Sequence, residues 1–285
     1  MKNSPQQNSY LYTVPRKEQD AYEFLMAFPA CESFALSSLG FMWLAKKLEE
    51  RSDISLTKIY TDTAVFPDIR AIKAVSFSLS YEMDFMGVLE VLEKLNLPLF
   101  AKDREKIFVF AGGPVITSNP APFADFFDFF LIGDGEDLLS QVVEILKSNQ
   151  DKTKKEVLEL LKNVQGVYIP LLKNITKKIT APLDEAVFSP VLSESAYFAN
   201  TFIVEVERGC YNRCGFCLAS YLNLPVRYVD YDEIINKIKL GLTYTKKIAL
   251  LGAQVSAHPK FNEICDYVIK KIESGVEIEL NFSSF

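Results

Sequence analysis

Apolar and polar positions alternate with two different periods along the first 150 residues of the chain. Short apolar runs that end in turn residues are typical of buried strands, and apolar residues at every third or fourth position are typical of amphipathic helices. The predicted strands cover residues 22–29, 55–60, 74–79, 106–111 and 128–132. The predicted helices cover residues 34–49, 82–95, a segment ending near 147, and 152–162. This alternation predicts βαβ units and therefore an α/β fold with a Rossmann-like, doubly wound parallel sheet.

Irregular segments, most of them containing Gly or Pro, follow four of the predicted strands. They are Pro29-Ala30-Cys31, Ser80-Tyr81-Glu82, Gly112-Gly113-Pro114 and Gly133-Asp134-Gly135-Glu136. Parallel strands all end at one edge of the sheet, and open α/β sheets bind ligands at that carboxyl edge. The sequence therefore predicts a candidate ligand edge that includes Gly112, Gly113, Gly133, Gly135 and Glu136. The alternative interpretation is that these segments are tight turns, with Glu136 as a first-turn carboxylate of the next helix.

A second series of strands and helices begins after a polar, irregular stretch over residues 163–200. Its predicted strands cover residues 201–207, 247–251 and 276–282, and its predicted helices cover 231–242 and 260–274. Such βα units predict the start of a partial (β/α) barrel. Because three strands do not close a barrel, we expect the sequence to be a truncated form of a longer one. The resulting domain prediction is a flexible tail (1–20), a Rossmann-like domain (21–150), a helix and linker (151–199), and the first βα units of a barrel (200–285).

Composition and charge narrow the function classes. The 285 residues are 49% apolar and 24% charged, as in ordinary globular proteins, and no apolar run reaches about 18 residues, so no membrane span is expected. The polar N-terminus lacks the apolar core of a secretory signal, which predicts a cytoplasmic protein. A net charge of −6 gives no general attraction to nucleic acid and no clear nucleic-acid patch. Five unevenly placed cysteines do not form the pattern of a disulfide framework.

Three of the five cysteines, Cys210, Cys214 and Cys217, fall within one stretch of eight residues. A structural zinc site needs four ligands, which Cys265 or His258, the only histidine, would have to complete. A redox pair of Cys214 and Cys217 would leave Cys210 without a role. An iron–sulfur cubane held by three thiolates would leave one iron open for a substrate or cofactor.

The spacing Cys210-x3-Cys214-x2-Cys217 after a strand, with Phe216 before the last cysteine, resembles the signature of the radical S-adenosylmethionine superfamily. The resemblance implies that the three thiolates hold a [4Fe–4S] cluster, and that its open iron binds S-adenosylmethionine. Cleavage of this cofactor yields a 5′-deoxyadenosyl radical. It also implies that Phe216 packs near the adenine. Gly252-Ala253-Gln254 resembles the family's cofactor-binding Gly-Gly-Glu motif, with Ala and Gln as departures.

The first half of the chain resembles the cobalamin-binding-like domain that precedes many barrels of this superfamily. The Gly112-Gly113-Pro114 and Gly133-Asp134-Gly135-Glu136 turns carry this resemblance. Over about residues 20–285 the whole chain resembles an uncharacterised family of such two-domain proteins, in the stretches SLGF, SFSLSYEMDF, AGGPVITSNPAPFADFFD, IGDGE and LLGAQVSAHP. The cobalt-ligating histidine motif of that domain is missing, since Pro29-Ala30-Cys31 and the two residues after it contain no histidine. Cobalamin is therefore a candidate cofactor without a histidine ligand, and a domain that has lost cobalamin binding is an equal expectation.

The resemblance implies an enzyme with an unknown substrate, for which methyl transfer, methylthio transfer and rearrangement are the candidate reactions. An electron donor such as flavodoxin or ferredoxin is the implied partner. Two other interpretations stay open. One is a corrinoid-binding or sensing module in which the cluster is structural, and the other is a zinc or redox cysteine site without radical chemistry.

Overall fold

The computed structural model describes residues 8–284, which divide into two compact units. We call residues 12–35 and 44–181 the N-terminal unit, and residues 8–11, 36–43 and 182–284 the C-terminal unit. Each unit has its own sheet, which is parallel in the C-terminal unit and parallel except for one edge strand in the N-terminal unit.

The bounds of the elements are as follows. The strands are β1 (Ser9–Tyr10), β2 (Tyr22–Phe28), β3 (Ile54–Tyr60), β4 (Ala74–Ser78), β5 (Phe108–Gly112), β6 (Phe129–Leu131), β7 (Val167–Tyr168), β8 (Val191–Leu192), β9 (Phe202–Glu205), β10 (Glu207–Arg208), β11 (Arg227–Tyr228), β12 (Lys247–Leu251) and β13 (Glu279–Phe282). The α-helices are α1 (Glu32–Ser37), α2 (Leu39–Glu49), α3 (Asp84–Lys94), α4 (Pro114–Ser118), α5 (Leu138–Ser148), α6 (Lys154–Leu161), α7 (Ala219–Leu222), α8 (Tyr231–Gly241) and α9 (Phe261–Glu273). Short 3₁₀ helices cover Ala101–Asp103, Ala121–Phe123 and Val255–Ala257.

The sheet of the N-terminal unit has the strand order β3-β2-β4-β5-β6-β7. All neighbouring pairs are parallel except the last, in which β7 adds antiparallel to β6. The strand order reverses between β2 and β4, which is the switch point where doubly wound sheets form a ligand crevice. The predicted α/β class with a doubly wound parallel sheet is confirmed.

Alternating side chains bury both faces of this sheet. On one face Leu25, Val75 and Val109 belong to a core that also contains the apolar side of α3, including Val88 and Leu92. The opposite face is aromatic and is likewise buried. Phe24, Phe110 and Phe129 lie there, and the rings of the last two stack with centroids 4.5 Å apart. Burial on both faces explains why these strands are near-continuous apolar runs in the sequence.

The sheet of the C-terminal unit contains β9, β12 and β13 in the parallel order β13-β12-β9. Its core includes Phe202, Ile248 and Leu250 from the sheet, together with Ile234 of α8 and Ile264 of α9. The predicted strand 201–207 divides, because β9 ends at Glu205 and β10 pairs antiparallel with β11 in a separate ladder.

Two expectations differ from the structure in detail. The predicted helix 34–49 is two helices, since Ser38 separates α1 from α2 and its carbonyl accepts the N–H of Met42 in the first turn of the second helix. In the expected tail, Ser9–Tyr10 pairs with Val191–Leu192, whereas residues 1–7 lie outside the described residues. Within residues 8–284, no helix is both long enough and apolar enough to cross a membrane.

Candidate functional site

The three clustered cysteines lie in a loop that is closed at its base by a short antiparallel ladder. We call residues 209–226 the cysteine loop, because Glu207 pairs with Tyr228 and Arg208 with Arg227 on either side of it. Gly209 enters the loop with φ of 98°, a conformation that favours glycine. A Cβ at Gly209 would also lie 2.6 Å from the carbonyl oxygen of Asn223, so the loop can fold back closely only with glycine here.

The sulfur atoms of the loop receive hydrogen bonds from nearby donors. The backbone N–H of Asn212 donates to Cys210 Sγ at 3.4 Å. Cys217 Sγ accepts from the hydroxyl and N–H of Ser220 and from the N–H of Ala219, and these bonds lower the pKa of the Cys217 thiol below its usual value. The donors to Cys217 favour its thiolate, which is the form of cysteine that ligates a metal.

The residues of the loop fit an iron–sulfur cluster by their chemistry. All three thiols are free and half-buried, and Cys214 and Cys217 are held in one turn by a 2.9 Å bond from the Cys217 N–H to the Cys214 carbonyl. Hydrogen bonds to ligating sulfur are a recognised means of tuning such clusters. Phe216 is 93% exposed beside them, so its ring is available to a bound group. Within residues 8–284, no three His, Cys, Asp or Glu side chains are gathered into a set that would hold one metal ion.

The turn after β12 lies beside the cysteine loop, and Glu207 connects the two. The Glu207 side chain is only 2% exposed, and its Oε1 accepts the backbone N–H of Gln254. Burial raises the pKa of the Glu207 carboxyl above its usual range, and the Gln254 N–H acts in the opposite direction. A Cβ at Gly252 would lie 2.9 Å from Glu207 Oε1 and would overlap its Cγ. Glycine at this position is therefore explained by close packing on Glu207.

The side chain of Gln254 reaches back to the cysteine loop. Its Oε1 accepts a 2.7 Å hydrogen bond from Asn212 Nδ2 and lies 3.9 Å from Cys210 Sγ. The structure thus brings together two segments that are 35 residues or more apart in the sequence, the cysteines and the 252–254 turn.

Two serines at the end of β13 hold the same turn from the other side. The Ser283 hydroxyl accepts the Gly252 N–H at 3.0 Å and donates to the Gly252 carbonyl at 2.7 Å. The Ser284 hydroxyl donates to the Ala253 carbonyl at 2.7 Å. These serines support the turn through its backbone.

His258 and Cys265, the other two residues considered as zinc ligands, have environments that do not favour metal binding. His258 is buried, its Nε2 lies 3.0 Å from the Val229 carbonyl, and its Nδ1 accepts the Lys260 N–H at 3.0 Å. Both ring nitrogens are therefore used by the backbone, with the proton on Nε2. Cys265 lies on α9, where burial and the charge of Asp266 raise the pKa of its thiol.

The glycines at the predicted ligand edge of the N-terminal unit lie close to other residues of the same unit. Added Cβ atoms at Gly113 and Gly133 would overlap the carbonyl oxygens of Leu79 and Ile179. Gly112 is the last residue of β5, and Gly135 lies close to a side chain of the same unit. The expectation that Glu136 lies in the first turn of a helix is wrong, since α5 begins at Leu138.

Backbone N–H groups at this edge are occupied by the chain's own side chains. The carboxylate of Asp84 accepts the N–H groups of Ser80 and Tyr81 at 2.7 and 2.9 Å. Asp62 accepts the N–H of Glu32 at 2.9 Å in the same way. Carboxylates on these amides repel an anionic ligand, so this part of the edge fits poorly to the phosphate of cobalamin, and the chain offers no histidine there for its cobalt.

Comparisons with known proteins relate the chain to radical SAM proteins. A family model described as the N-terminal region of radical SAM proteins matches residues 43–170. An uncharacterized protein of Methanocaldococcus jannaschii is 27% identical over 243 residues, covering 82% of this chain and 49% of that protein. The tRNA-2-methylthio-N(6)-dimethylallyladenosine synthase of Sorangium cellulosum is 38% identical over 71 residues, covering 25% of this chain and 14% of that enzyme.

Solved structures of a cobalamin-dependent S-adenosylmethionine radical enzyme, OxsB, share the fold. The form with aqua-cobalamin and S-adenosylmethionine bound aligns with a TM-score of 0.58 at 15% identity, over 92% of this chain and 38% of OxsB. The apo form aligns with a TM-score of 0.60 at 15% identity, over 93% of this chain and 39% of OxsB. The chain thus spans about half the length of its first curated relative, and less of the other proteins.

The family match over residues 43–170, the partial match to a tRNA-modifying enzyme and the cysteine spacing together support a relation to the radical S-adenosylmethionine superfamily.

Sequence reasoning missed Glu207, Asn212 and Ser220 as parts of the site. A signal was available for Glu207, because a carboxylate at the end of an apolar strand and three residues before a cysteine is out of place in a buried pattern. For Asn212 and Ser220 we find no signal in the sequence, since their contacts depend on how the loop folds back.

Proposed function

We propose that the protein is a radical S-adenosylmethionine enzyme in which Cys210, Cys214 and Cys217 hold a [4Fe–4S] cluster and residues 252–254 bind the cofactor beside it. The observation that carries this proposal is the contact of Gln254 with the cysteine loop, through Asn212 Nδ2 at 2.7 Å and Cys210 Sγ at 3.9 Å. A cofactor bound at an open iron needs both segments next to each other.

The chain's own residues would prepare this site in three ways. Ser220 and Ala219 donate to Cys217 Sγ and favour its thiolate, and the Asn212 N–H donates to Cys210 Sγ. The exposed ring of Phe216 offers an apolar face to an adenine. The site lies at the carboxyl ends of β9 and β12, where βα folds carry their active sites.

When bound, the cluster and S-adenosylmethionine supply reductive cleavage of the cofactor to a 5′-deoxyadenosyl radical, and the protein supplies binding and orientation. The electrons would come from a small donor protein such as flavodoxin or ferredoxin. The substrate class is left open by the described residues. The similarity to a tRNA methylthio-adenosine synthase keeps methylthio transfer among the candidate reactions, with methyl transfer and rearrangement.

The alternative of a corrinoid-binding module is favoured by one observation, the shared fold with cobalamin-bound OxsB. The occupied amides at Ser80 and Tyr81 and the absence of histidine from the unit speak against it. No step of the proposed function depends on cobalamin.

The test is anaerobic reconstitution of the full chain with iron and sulfide, followed by electron paramagnetic resonance of the reduced protein with and without S-adenosylmethionine. We expect about four irons per chain, a signal that shifts when the cofactor is added, and formation of 5′-deoxyadenosine. Cys214→Ala should abolish all three, whereas Cys265→Ala, on the apolar side of a helix, should retain them. Bound zinc, or a signal that S-adenosylmethionine does not change, would overturn the proposal.

A further inference from the structure

Glu207 is a buried carboxylate that contacts the backbone of the turn at residues 252–254. Its Oε1 accepts the Gln254 N–H, and its side chain fills the space that a Cβ at Gly252 would need. Glu207 is also the first residue of the ladder that closes the cysteine loop. One side chain therefore fixes the distance between the turn and the base of the loop.

Gln254 is held by a second contact at its other end. While Glu207 holds the Gln254 backbone, the Gln254 side chain accepts from Asn212 Nδ2 and lies near Cys210 Sγ. Gln254 thus attaches the turn to the cysteine loop by its side chain and to Glu207 by its backbone, while Ser283 and Ser284 hold Gly252 and Ala253 from the other side.

The side chain at position 254 is a neutral amide, and its neighbour Glu207 carries a carboxyl group. The superfamily motif that Gly252-Ala253-Gln254 resembles ends in glutamate, which in this chain would put a second carboxylate on the residue whose backbone N–H Glu207 accepts and whose side chain lies 3.9 Å from Cys210 Sγ. Two carboxylates in one poorly solvated site repel each other strongly. An amide at 254 avoids the repulsion and still accepts the Asn212 hydrogen bond.

We infer that Glu207 is a positioning residue for S-adenosylmethionine, which holds the 252–254 turn in its binding geometry, and that Gln254 is the neutral partner this carboxylate requires. The inference rests on the proposed function, since it names residues that shape the same cofactor site. Glu207 itself is covered by the turn and acts through Gln254 rather than on the cofactor.

The experiment compares Glu207→Ala, Glu207→Gln, Gln254→Glu and the double variant E207Q/Q254E, with Glu194→Ala as an exposed carboxylate control in the same unit. Three quantities are measured in the full chain: iron per chain after reconstitution, the dissociation constant for S-adenosylmethionine by equilibrium dialysis, and amide exchange of a peptide covering residues 252–255 in the apo protein. The exchange measurement needs no cluster and reports the Glu207 contact directly.

For Glu207→Ala we expect iron content equal to wild type, cofactor binding weakened about tenfold, and faster exchange at 252–255. Glu207→Gln keeps an oxygen for the Gln254 N–H and should bind within about threefold of wild type. Gln254→Glu should weaken binding about tenfold, and adding E207Q should restore it, because one carboxylate is then left in the site.

Several outcomes would overturn the inference. They are wild-type cofactor binding and exchange in Glu207→Ala, or a double variant as weak as Gln254→Glu alone. If Glu207→Ala does not fold, the Gln254→Glu and double variants still decide the question. A wild-type chain that binds no cluster would overturn the proposed function. Independently of the cluster, unchanged amide exchange at residues 252–255 in the Glu207→Ala protein would exclude the contact between Glu207 and the Gln254 N–H.

Discussion

The guanidinium of Arg208 and the carboxylate of Glu205 form a two-point ion pair at the base of the cysteine loop, with Nη2–Oε2 and Nε–Oε1 distances of 2.6 and 3.0 Å. The two side chains are only 14% and 13% exposed. Because Glu205 ends β9 and Arg208 ends β10, the pair fixes the bend between the parallel sheet and the ladder beneath the cysteines.

Arg208→Lys should destabilise the protein, because lysine keeps the charge but loses the planar fork that matches a carboxylate. We expect a loss of about 1–3 kcal/mol in the free energy of unfolding, measured by denaturant titration of the apo protein. The matched control is Arg70→Lys in the exposed pair with Asp68, where we expect no measurable change because solvent screens the charges. Equal effects at the two positions would contradict the prediction.

Gly252→Ala should also destabilise the apo protein, since its Cβ would overlap the buried side chain of Glu207. Overpacking of this kind costs about 1–3 kcal/mol, again measured by denaturant titration. Gly40→Ala is the control: Gly40 lies in α2 with no atom within 4 Å of an added Cβ, and alanine should stabilise the helix by about 0.5–1 kcal/mol. A neutral Gly252→Ala would mean that the turn does not pack on Glu207 as described.

The stability of the protein should fall at mildly acidic pH through His258. Burial lowers the pKa of His258 below 6.5, more than the Val229 carbonyl and the charges of Glu263 and Asp230 raise it. The unfolded chain therefore binds this proton first, and stability is lost as pH falls below about 6.5, at no more than ~1.4 kcal/mol per pH unit. Glu207 has the opposite sign, because a raised carboxyl pKa makes the folded state gain stability as pH falls.

The measurement is the free energy of unfolding from pH 8 to pH 5 for wild type and His258→Gln. The variant should be less stable at pH 8, since it loses a backbone hydrogen bond, but its stability should decline less on acidification. The difference between the two curves isolates His258 from Glu207. If the two curves were parallel, the pKa of His258 would not differ between the folded and unfolded protein, and the prediction would be wrong.

The fold was predictable because its signals are local and repeated. Burial on both faces of the sheet makes β2, β4 and β5 apolar runs, and the amphipathic α3 and α5 follow from their own periodicity. The strand order β3-β2-β4-β5-β6 could not be predicted from any single segment, since it depends on which strands pair. The division of residues 201–207 at β9 and β10 was missed for the same reason, because an apolar run does not say where its partner changes.

The candidate site was predictable only where its chemistry is concentrated in sequence. The three cysteines form a spaced motif, and the strand-end position of Gly252-Ala253-Gln254 followed from βα order. Glu207 was not found, because its role comes from a contact with Gln254, which lies 47 residues further along the chain. Long-range hydrogen bonds of single side chains leave no periodic pattern to read.

Cobalamin binding is the point at which this chain should differ from OxsB, the cobalamin-bound protein whose fold it shares. A phosphate-bearing ligand at the switch point would have to displace Asp84 from the amides of Ser80 and Tyr81. The crevice is also narrowed, because Gly87 of α3 packs directly on the carbonyl of Pro29 after β2. We therefore expect the full chain, incubated with aqua-cobalamin, to elute from gel filtration without corrin absorbance.

The control is the variant in which Cys210, Cys214 and Cys217 are all changed to alanine, since free thiols can bind cobalt directly. Corrinoid that is retained by wild type and lost in this variant would indicate binding by thiols and would leave the prediction for the sheet edge intact. Stoichiometric corrinoid in both proteins would contradict the prediction. It would mean that the Asp84 and Gly87 contacts open to admit a ligand, and that the edge of the N-terminal unit binds cobalamin without histidine.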